Sequence, residues 1–526
     1  MKKMNNQLLT IQDIAACAFG GEFVALHRRD EGLLDRIAKN HGYCKNLLAG
    51  NADIYGATTG FGKDNVHQIN QADSAKLQYN LTRFHGIGLG KYLSEAHCAA
   101  TMLVRLGSLS QAVSGIRPQL VEHLSAMLEK RVIAAIPCMG SVGASGDLTP
   151  LSYVAATMMG ERKVYWKGQI VDASLALKEA GLTPFKFEGR EALSIMNGTS
   201  MMTAIASLSL VQARRIADLA CELGAIMVET IGGRSAAFHP SLHARKPHDG
   251  QQHAANKIFS MLVTPEERMK RKSGGTVKDD VATEQIQDVY SVRCMPQVIG
   301  PLYDAIEWAT KLVETEMNSA NDNPLFISEE DMVLHGGHFF GGHIALACDT
   351  VKIAVCNVAN LLERQLAYMM SPANTAKNWD HNLVQRDALG SDRLLHHGFK
   401  ATHITASAIA AEVMKNSAPA SVLSRPTESY NQDVVSMGSI ASRDLGHVCD
   451  LTANLVAVNA AALSQIVHIQ GQLGNETMLS KDAAKLVEKI ASKFEPVLQD
   501  RPLANEIMNI RDLFFADIQL GATERQ

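Results

Sequence analysis

Ser145 lies in the run Gly143-Ala144-Ser145-Gly146-Asp147, where small neighbours leave its hydroxyl and its backbone open to close approach. A nucleophilic serine of the G-x-S-x-G kind would need glycine where Asp147 stands, which argues against a serine hydrolase. As plain structure the run reads as a tight turn before a helix capped by Asp147. The glycines of Gly86-Ile87-Gly88-Leu89-Gly90-Lys91 fit neither G-x-G-x-x-G nor G-x-x-x-x-G-K-[ST], so no nucleotide loop is indicated. His335, His338 and His343 lie close together without a recognised metal-ligand spacing, and packing or substrate contact is expected of them. Tyr55 stands in a loop framed by Gly56, Gly60 and Gly62, which suits a phenol that moves with its loop. Arg293 offers a planar guanidinium that can grip a carboxylate through two parallel hydrogen bonds. Asn197 opens a stretch nearly free of charge, where a buried amide needs partners.

The chain that must position these groups has 526 residues, long enough for about three domains or one large helical unit. Its 50 Lys+Arg against 54 Asp+Glu leave a net charge of -4, which speaks against a nucleic-acid or anionic-membrane partner and for a small molecule. Hydrophobic residues make up 46% but aromatics only 5%, so the core must be aliphatic. Residues 192–213 and 451–474 contain no Asp, Glu, Lys or Arg. Their many Ser, Thr, Asn and Gln argue against membrane spans and for central helices of a bundle. From Leu302 the apolar positions recur at three- and four-residue spacing, marking an amphipathic helix with Pro301 at its start. Lys163–Trp166 and Gln169–Val171 read as a hairpin around Lys167-Gly168. Residues 264–284 read as a mobile surface loop, 371–382 as a breaker between helices, and 420–433 as a loop. The polar residues after Met1-Lys2-Lys3 leave no room for a secretory h-region. Nine scattered cysteines, with no C-x-x-C pair, suit reduced thiols in the cytoplasm and no structural zinc.

Several segments taken together carry a resemblance. GSVGASGDLTPLSYVA at 140–155, YGATTGFG at 55–62, SIMNGTS at 194–200, QDVYSVRCMPQVIG at 287–300, EMNSANDNPLF at 316–326 and NQDVVSMG at 431–438 occur in the order found in the aromatic amino acid ammonia-lyases. The chain resembles that family, which includes histidine, phenylalanine and tyrosine ammonia-lyases, over most of its length. The resemblance implies a mainly α fold of fumarase/aspartase-like architecture. Residues 1–195 would form an N-terminal mixed region holding the Ser145 loop and the Tyr55 lid loop, and 196–526 the helical bundle. It further implies that Ala144, Ser145 and Gly146 cyclise unaided into a methylidene-imidazolone (MIO), with no external cofactor and no metal. An electrophile answers a definite need, because an amino group leaves poorly, a β-hydrogen is barely acidic and no ordinary side chain is an electron sink. By the same resemblance Tyr55 is the base for the β-proton and Arg293 binds the substrate carboxylate. Tyr290 and Asn197 complete the surroundings of the electrophile, Gln287 and Asn323 support it, Phe339 packs beside it, and the enzyme is a homotetramer with shared active sites.

Substrate choice turns on Phe84-His85 and Gln432. In the family Ser-His at the first pair is typical of histidine enzymes, Phe-Leu of plant-type phenylalanine enzymes and His-Leu of one tyrosine type, so Phe84-His85 is a hybrid. His85 can hydrogen-bond an imidazole or a phenol, while Phe84 makes the wall apolar. Histidine enzymes carry glutamate where this chain has Gln432, and losing that carboxylate removes a partner for imidazole. With Tyr430 nearby, the reading favours L-tyrosine giving trans-p-coumarate, then phenylalanine, then histidine, with an aromatic 2,3-aminomutase as a variant of the same chemistry. The run Gly336-Gly337-His338-Phe339-Phe340-Gly341 departs from the family's GGNFHG or GGNFQG at His338 and Phe340, which bears on the pocket lining. A catalytically inactive helical scaffold is the alternative from another class, opposed by the intact Tyr55, Ala144-Ser145-Gly146 and Arg293.

Overall fold

The computed structural model describes residues 9–20, 25–50, 53–70, 73–263, 287–371, 379–384, 386–474 and 477–516. Three long helices form its centre: Ser200–Ile231, Gly342–Met370 and Gly438–Gln472, of 32, 29 and 35 residues. The last packs along both of the others, and Met295–Met317 joins them from the side. Small residues let these helices approach closely; Ala453, Ala457, Ala460 and Ala461 are all fully buried. Their polar side chains are absorbed locally, as where Thr203 and Ser207 donate to the carbonyls four residues earlier. One continuous apolar core runs from Leu9 to Phe515.

The expected mainly α bundle is what the chain builds, with three small sheets in addition. The hairpin forms as expected, Lys163–Trp166 pairing with Gln169–Asp172 around Lys167 and Gly168, both at positive φ. The uncharged stretch 192–213 is not one helix. It breaks at Asn197-Gly198-Thr199 into Glu191–Met196 and Ser200–Ile231, because Gly198 adopts φ +156°. Pro301 does not begin its helix either. The helix starts at Met295 with Pro296 in its first turn and carries Pro301 inside, since buried Met295 and Ile299 extend the apolar face upstream. The whole of the expected loop at 264–284, and 372–378 of the breaker, lie outside the described residues. Within that breaker Trp379 is buried and donates to the Met369 carbonyl. Residues 420–433 hold two short 3-10 turns, Ser421–Leu423 and Glu428–Tyr430. Gly342–Met370 and Gly438–Gln472 are long and apolar enough to cross a membrane, yet their most apolar stretches are 72% and 78% buried inside the protein. All nine cysteines are free.

Seven helices carry or brace the site: α1 (Ser74–Phe84), α2 (Glu95–Leu109), α3 (Leu148–Met158), α4 (Glu191–Met196), α5 (Ser200–Ile231), α6 (Met295–Met317) and α7 (Gly438–Gln472).

Candidate active site

The Ser145 loop is pinned where the starts of α3, α5 and α7 converge. Gly146 forms a parallel bridge with Gly198, and the Asp147 N–H donates to the Gly198 carbonyl at 2.7 Å. Gly146 has φ +67°, and a Cβ there would stand 2.1 Å from the Gly198 oxygen. Only glycine fits such an approach. Asp147 occupies the position before α3, but its side chain does not cap that helix. It turns inward and accepts from the Met202 N–H in the first turn of α5 at 2.9 Å and from the Ser439 hydroxyl at the start of α7 at 2.6 Å. The expected capping role is therefore moved to a different helix, α5, whose first-turn Met202 N–H has no partner within its own helix. Complete burial pushes the Asp147 carboxyl up to about 6, against the pull of those hydrogen bonds.

Ser145 is held from two sides. The Asn197 amide donates to its carbonyl oxygen at 3.3 Å, and the Gln432 amide donates to its hydroxyl at 3.0 Å. Gln432 is itself oriented by Thr427, whose hydroxyl donates to Oε1 at 2.8 Å. Asn197 follows α4, and its backbone oxygen accepts from Arg105 Nη1 at 3.0 Å. Arg105 is fully buried on α2, and the Oδ1 of Asn321 also accepts from its Nη1 at 3.0 Å. Asn321 passes the chain onward, donating to Thr199, which donates to buried Glu316. These closely spaced small residues and amides fit a group made by ring closure of Ala144, Ser145 and Gly146. Gly146 is held at a φ that glycine favours, and an amide already faces the Ser145 carbonyl.

Tyr55 faces the same cavity. Its phenolic oxygen accepts from the Gly62 N–H at 2.8 Å, and its ring meets Phe61 edge-on at 6.2 Å. Burial raises its pKa, and the Gly62 bond opposes that rise. The loop is latched to the far wall by Glu428, whose carboxylate accepts from the Lys63 N–H at 3.0 Å. Glu428, Ser429 and Tyr430 have φ of +48°, +54° and +64°, three successive non-glycine residues in the left-handed region. That turn ends in the Thr427–Gln432 bridge, so one strained segment touches both the Tyr55 loop and Ser145.

The cavity holds about 1200 Å³, and Tyr55, Ala144, Ser145, Asn197, Asn323, Phe339 and Gln432 all line it. Phe84 and His85 line it too, at the end of α1, their rings 4.3 Å apart. His85 Nδ1 lies 3.0 Å from the Leu81 carbonyl, which can only accept, so Nδ1 carries the proton and Nε2 keeps its lone pair. Burial lowers the His85 pKa, which keeps the ring neutral. Asn323 is fixed by accepting from the Gly336 N–H at 2.8 Å. His335 and Phe340 join the lining.

Four expected site residues are not gathered into this cavity. Gln287 is exposed, Tyr290 is 72% exposed, and Arg293 stacks on the Tyr290 ring at 4.6 Å instead of reaching Ser145. Tyr430 sits on the latch turn but points outward, 78% exposed. Gly146 backs the Ser145 loop rather than lining the space. Asp53, Asp64, Glu428 and Asp433 line the cavity, and among the described residues no lysine or arginine does. The motif reading missed Glu428 and Arg105. Arg105 did leave a signal, as the one Asp, Glu, Lys or Arg between Glu95 and Arg117.

Residues 9–492 match the family model described as aromatic amino acid lyase. The chain is 34% identical over 515 residues, 98% of each chain, to a probable histidine ammonia-lyase of Thermoplasma acidophilum. It is 35% identical over 485 residues to a tyrosine 2,3-aminomutase of Chondromyces crocatus, covering 90% of this chain and 89% of that one. Its fold is similar to a tyrosine aminomutase from Streptomyces globisporus, with a TM-score of 0.86 and 31% identity over 97% of this chain and 96% of that one. It is similar as well to a histidine ammonia-lyase from Trypanosoma cruzi, with a TM-score of 0.83 and 28% identity over 96% and 91%. With the family model covering nearly the whole chain and relatives of this identity matched end to end, the chain belongs to the aromatic amino acid lyases and is a carbon–nitrogen lyase acting on a small-molecule amino acid.

Proposed function

We propose that the chain eliminates ammonia from L-tyrosine to give trans-p-coumarate, using a methylidene-imidazolone made from its own Ala144, Ser145 and Gly146. In that ring closure the Gly146 nitrogen bonds to the Ala144 carbonyl carbon. The Ala144 oxygen leaves as water with hydrogens from the Gly146 and Ser145 nitrogens. Ser145 loses its hydroxyl with its Cα hydrogen as a second water, and its carbonyl survives. When formed, the group supplies the electron sink that lets the substrate's amine depart. Tyr55 takes the β-proton at its phenolic oxygen, and the Gly62 N–H that it accepts from favours the deprotonated form.

The observation that carries the substrate reading is His85. A neutral imidazole whose Nδ1–H is spent on Leu81 presents Nε2 as an acceptor, which matches the O–H of a phenol. Gln432, an amide at the position where a carboxylate would suit imidazole, supports the same choice, and Phe84 and Phe339 give the ring an apolar wall.

Among the described residues of one chain, the cavity is lined by four carboxylates with no lysine or arginine to meet the substrate carboxylate. We therefore take Arg293 and Tyr290, with Gln287, to complete the cavity of a neighbouring copy in a homotetramer, residues 1–195 of each copy carrying Ser145 and Tyr55. Free cysteines support a reducing, cytoplasmic setting.

The aminomutase names among the relatives favour one second reading, in which the released ammonia adds back at the β-carbon. The test is purified protein given tyrosine, phenylalanine and histidine separately, with near-ultraviolet detection of the arylacrylate and chromatography for the β-amino acid. p-Coumarate from tyrosine is expected, and none from Ser145→Ala. Urocanate from histidine as the main product would overturn the ring reading, β-tyrosine would turn the assignment to the mutase, and turnover by Ser145→Ala would overturn the electrophile.

A further inference from the structure

Arg105 is a buried cation without an anion. A guanidinium taken fully out of water normally meets a carboxylate, because desolvating the charge is costly unless it is paired. Among the described residues none pairs with Arg105. Its Nη1 donates only to two neutral oxygens, the Asn197 carbonyl and Asn321 Oδ1, and Nε and Nη2 have no partner there. Asp322 acts on Arg105 only through space, its carboxylate being taken by both arms of Arg190 at 2.9 Å. Burial draws the Arg105 pKa down to about 10, which still leaves it charged at neutral pH.

The placement is specific. A Cβ on Gly198 would stand 1.9 Å from Nη1, so glycine at that position is what lets the guanidinium reach the turn. The residue whose backbone oxygen it holds is the same Asn197 whose side-chain amide donates to the Ser145 carbonyl. Asn321 fills a position where aspartate, of the same shape, would neutralise the charge.

We infer that Arg105 is a positioning residue whose uncompensated charge polarises the Asn197–Ser145 hydrogen bond, favouring negative charge on the Ser145 carbonyl oxygen as a nucleophile adds to the neighbouring methylidene. Fixed dipoles and charges aimed at developing charge act strongly in a dry site. This rests on the reading of Ser145 as part of the electrophile.

The experiment pairs Asn321→Asp with the parent protein and reads three things: the mass of the peptide carrying residues 144–146, the rate at which borohydride bleaches the near-ultraviolet band of the electrophile, and the melting temperature. In the bleaching step hydride adds to the methylidene carbon, the displaced electron pair moves to the Ser145 oxygen, and water supplies the proton. We expect Asn321→Asp to bleach more slowly by about tenfold, the melting temperature showing only that it folds, because the new ion pair is set against the lost donation to Thr199. Failure of this variant to lose its two waters, with melting temperature kept, counts on the same side. Equal bleaching rates would overturn the inference. A parent peptide that had lost no water would sink the electrophile reading and this inference with it, whereas equal rates on a dehydrated peptide would sink the inference alone. Should Asn321→Asp not fold, Arg105→Lys, which keeps the charge, is compared with Arg105→Met. Fast bleaching in the first and slow in the second is required, and equal rates overturn the inference.

Discussion

His85→Leu separates the proposed recognition of a phenol from mere burial of a ring. The substitution leaves the helix end intact, because the Leu81 carbonyl also accepts from the backbone N–H of residue 85, at 3.4 Å. It removes two things, the Nδ1–H bond to Leu81 and the lone pair at Nε2. The first costs about 1 kcal/mol of stability, and loss of the 4.3 Å ring contact with Phe84 roughly another 1 kcal/mol. The second is felt only by a substrate with a donor on its ring. A phenol left unpartnered against leucine loses about 2 kcal/mol, which is roughly thirtyfold in kcat/KM for tyrosine. Phenylalanine has no donor to strand and gains an apolar neighbour, so its kcat/KM is expected to hold or rise. The assay is continuous absorbance of p-coumarate and cinnamate with each amino acid, for both proteins. A tyrosine-to-phenylalanine ratio of kcat/KM left unchanged by the substitution would refute the reasoning, because nothing else on the residue distinguishes the two rings.

Other expectations follow from the same geometry. Because burial raises the Asp147 pKa from 3.8 to about 6, the protonated form is favoured in the folded state. That contribution is fully present below about pH 4 and is lost as pH rises through about 6. Asp147→Asn should therefore gain on the parent in melting temperature between these pH values, and a gap independent of pH would count against it. Gly146→Ala forces a side chain at φ +67° into the Gly198 carbonyl. It should cost about 3–5 kcal/mol by chemical denaturation and leave the 144–146 peptide at full mass. Glu428→Gln keeps an acceptor for the Lys63 N–H but removes the negative charge that helps to raise the Tyr55 pKa, so the alkaline rise of kcat/KM should move to lower pH; an unmoved or opposite limb would remove Glu428 from any influence on Tyr55.

The central helices were legible because uncharged stretches of this length have few other places to go, and Leu451–Gln472 does lie within the longest helix, which ends just before Leu473 and Gly474. The break at Asn197-Gly198 was not, since one glycine in an apolar run carries no mark of the strand-like bridge it makes with Gly146, a partner 52 positions earlier. Asp147 read as a local cap because sequence order favours near neighbours. Its real partners, Met202 and Ser439, come from helices that fold over it. Tyr55, Ser145, Asn197, Asn323 and Gln432, singled out from motif segments, are brought to one cavity by the chain. Arg293 and Tyr290 carry the same kind of motif signal yet stand outside it in the single chain, because a linear pattern holds no information on where a residue lands in space. Glu428 was invisible for another reason: its part depends on three left-handed residues that no composition rule anticipates.

The groups around Ser145 and the groups facing the substrate ring rest on different foundations. Ser145 is braced by Gly146, Gly198, Asp147 and Arg105, all sunk among the helix ends, where a single added carbon collides with backbone. Phe84 and His85 stand instead at the C-terminal end of α1, and residues 427–434 on a largely exposed loop. Evolution can therefore rewrite the ring wall by single substitutions while the reacting centre stays fixed, and relatives bearing histidine and tyrosine names at almost equal identity to this chain are what such uneven freedom to drift would leave behind.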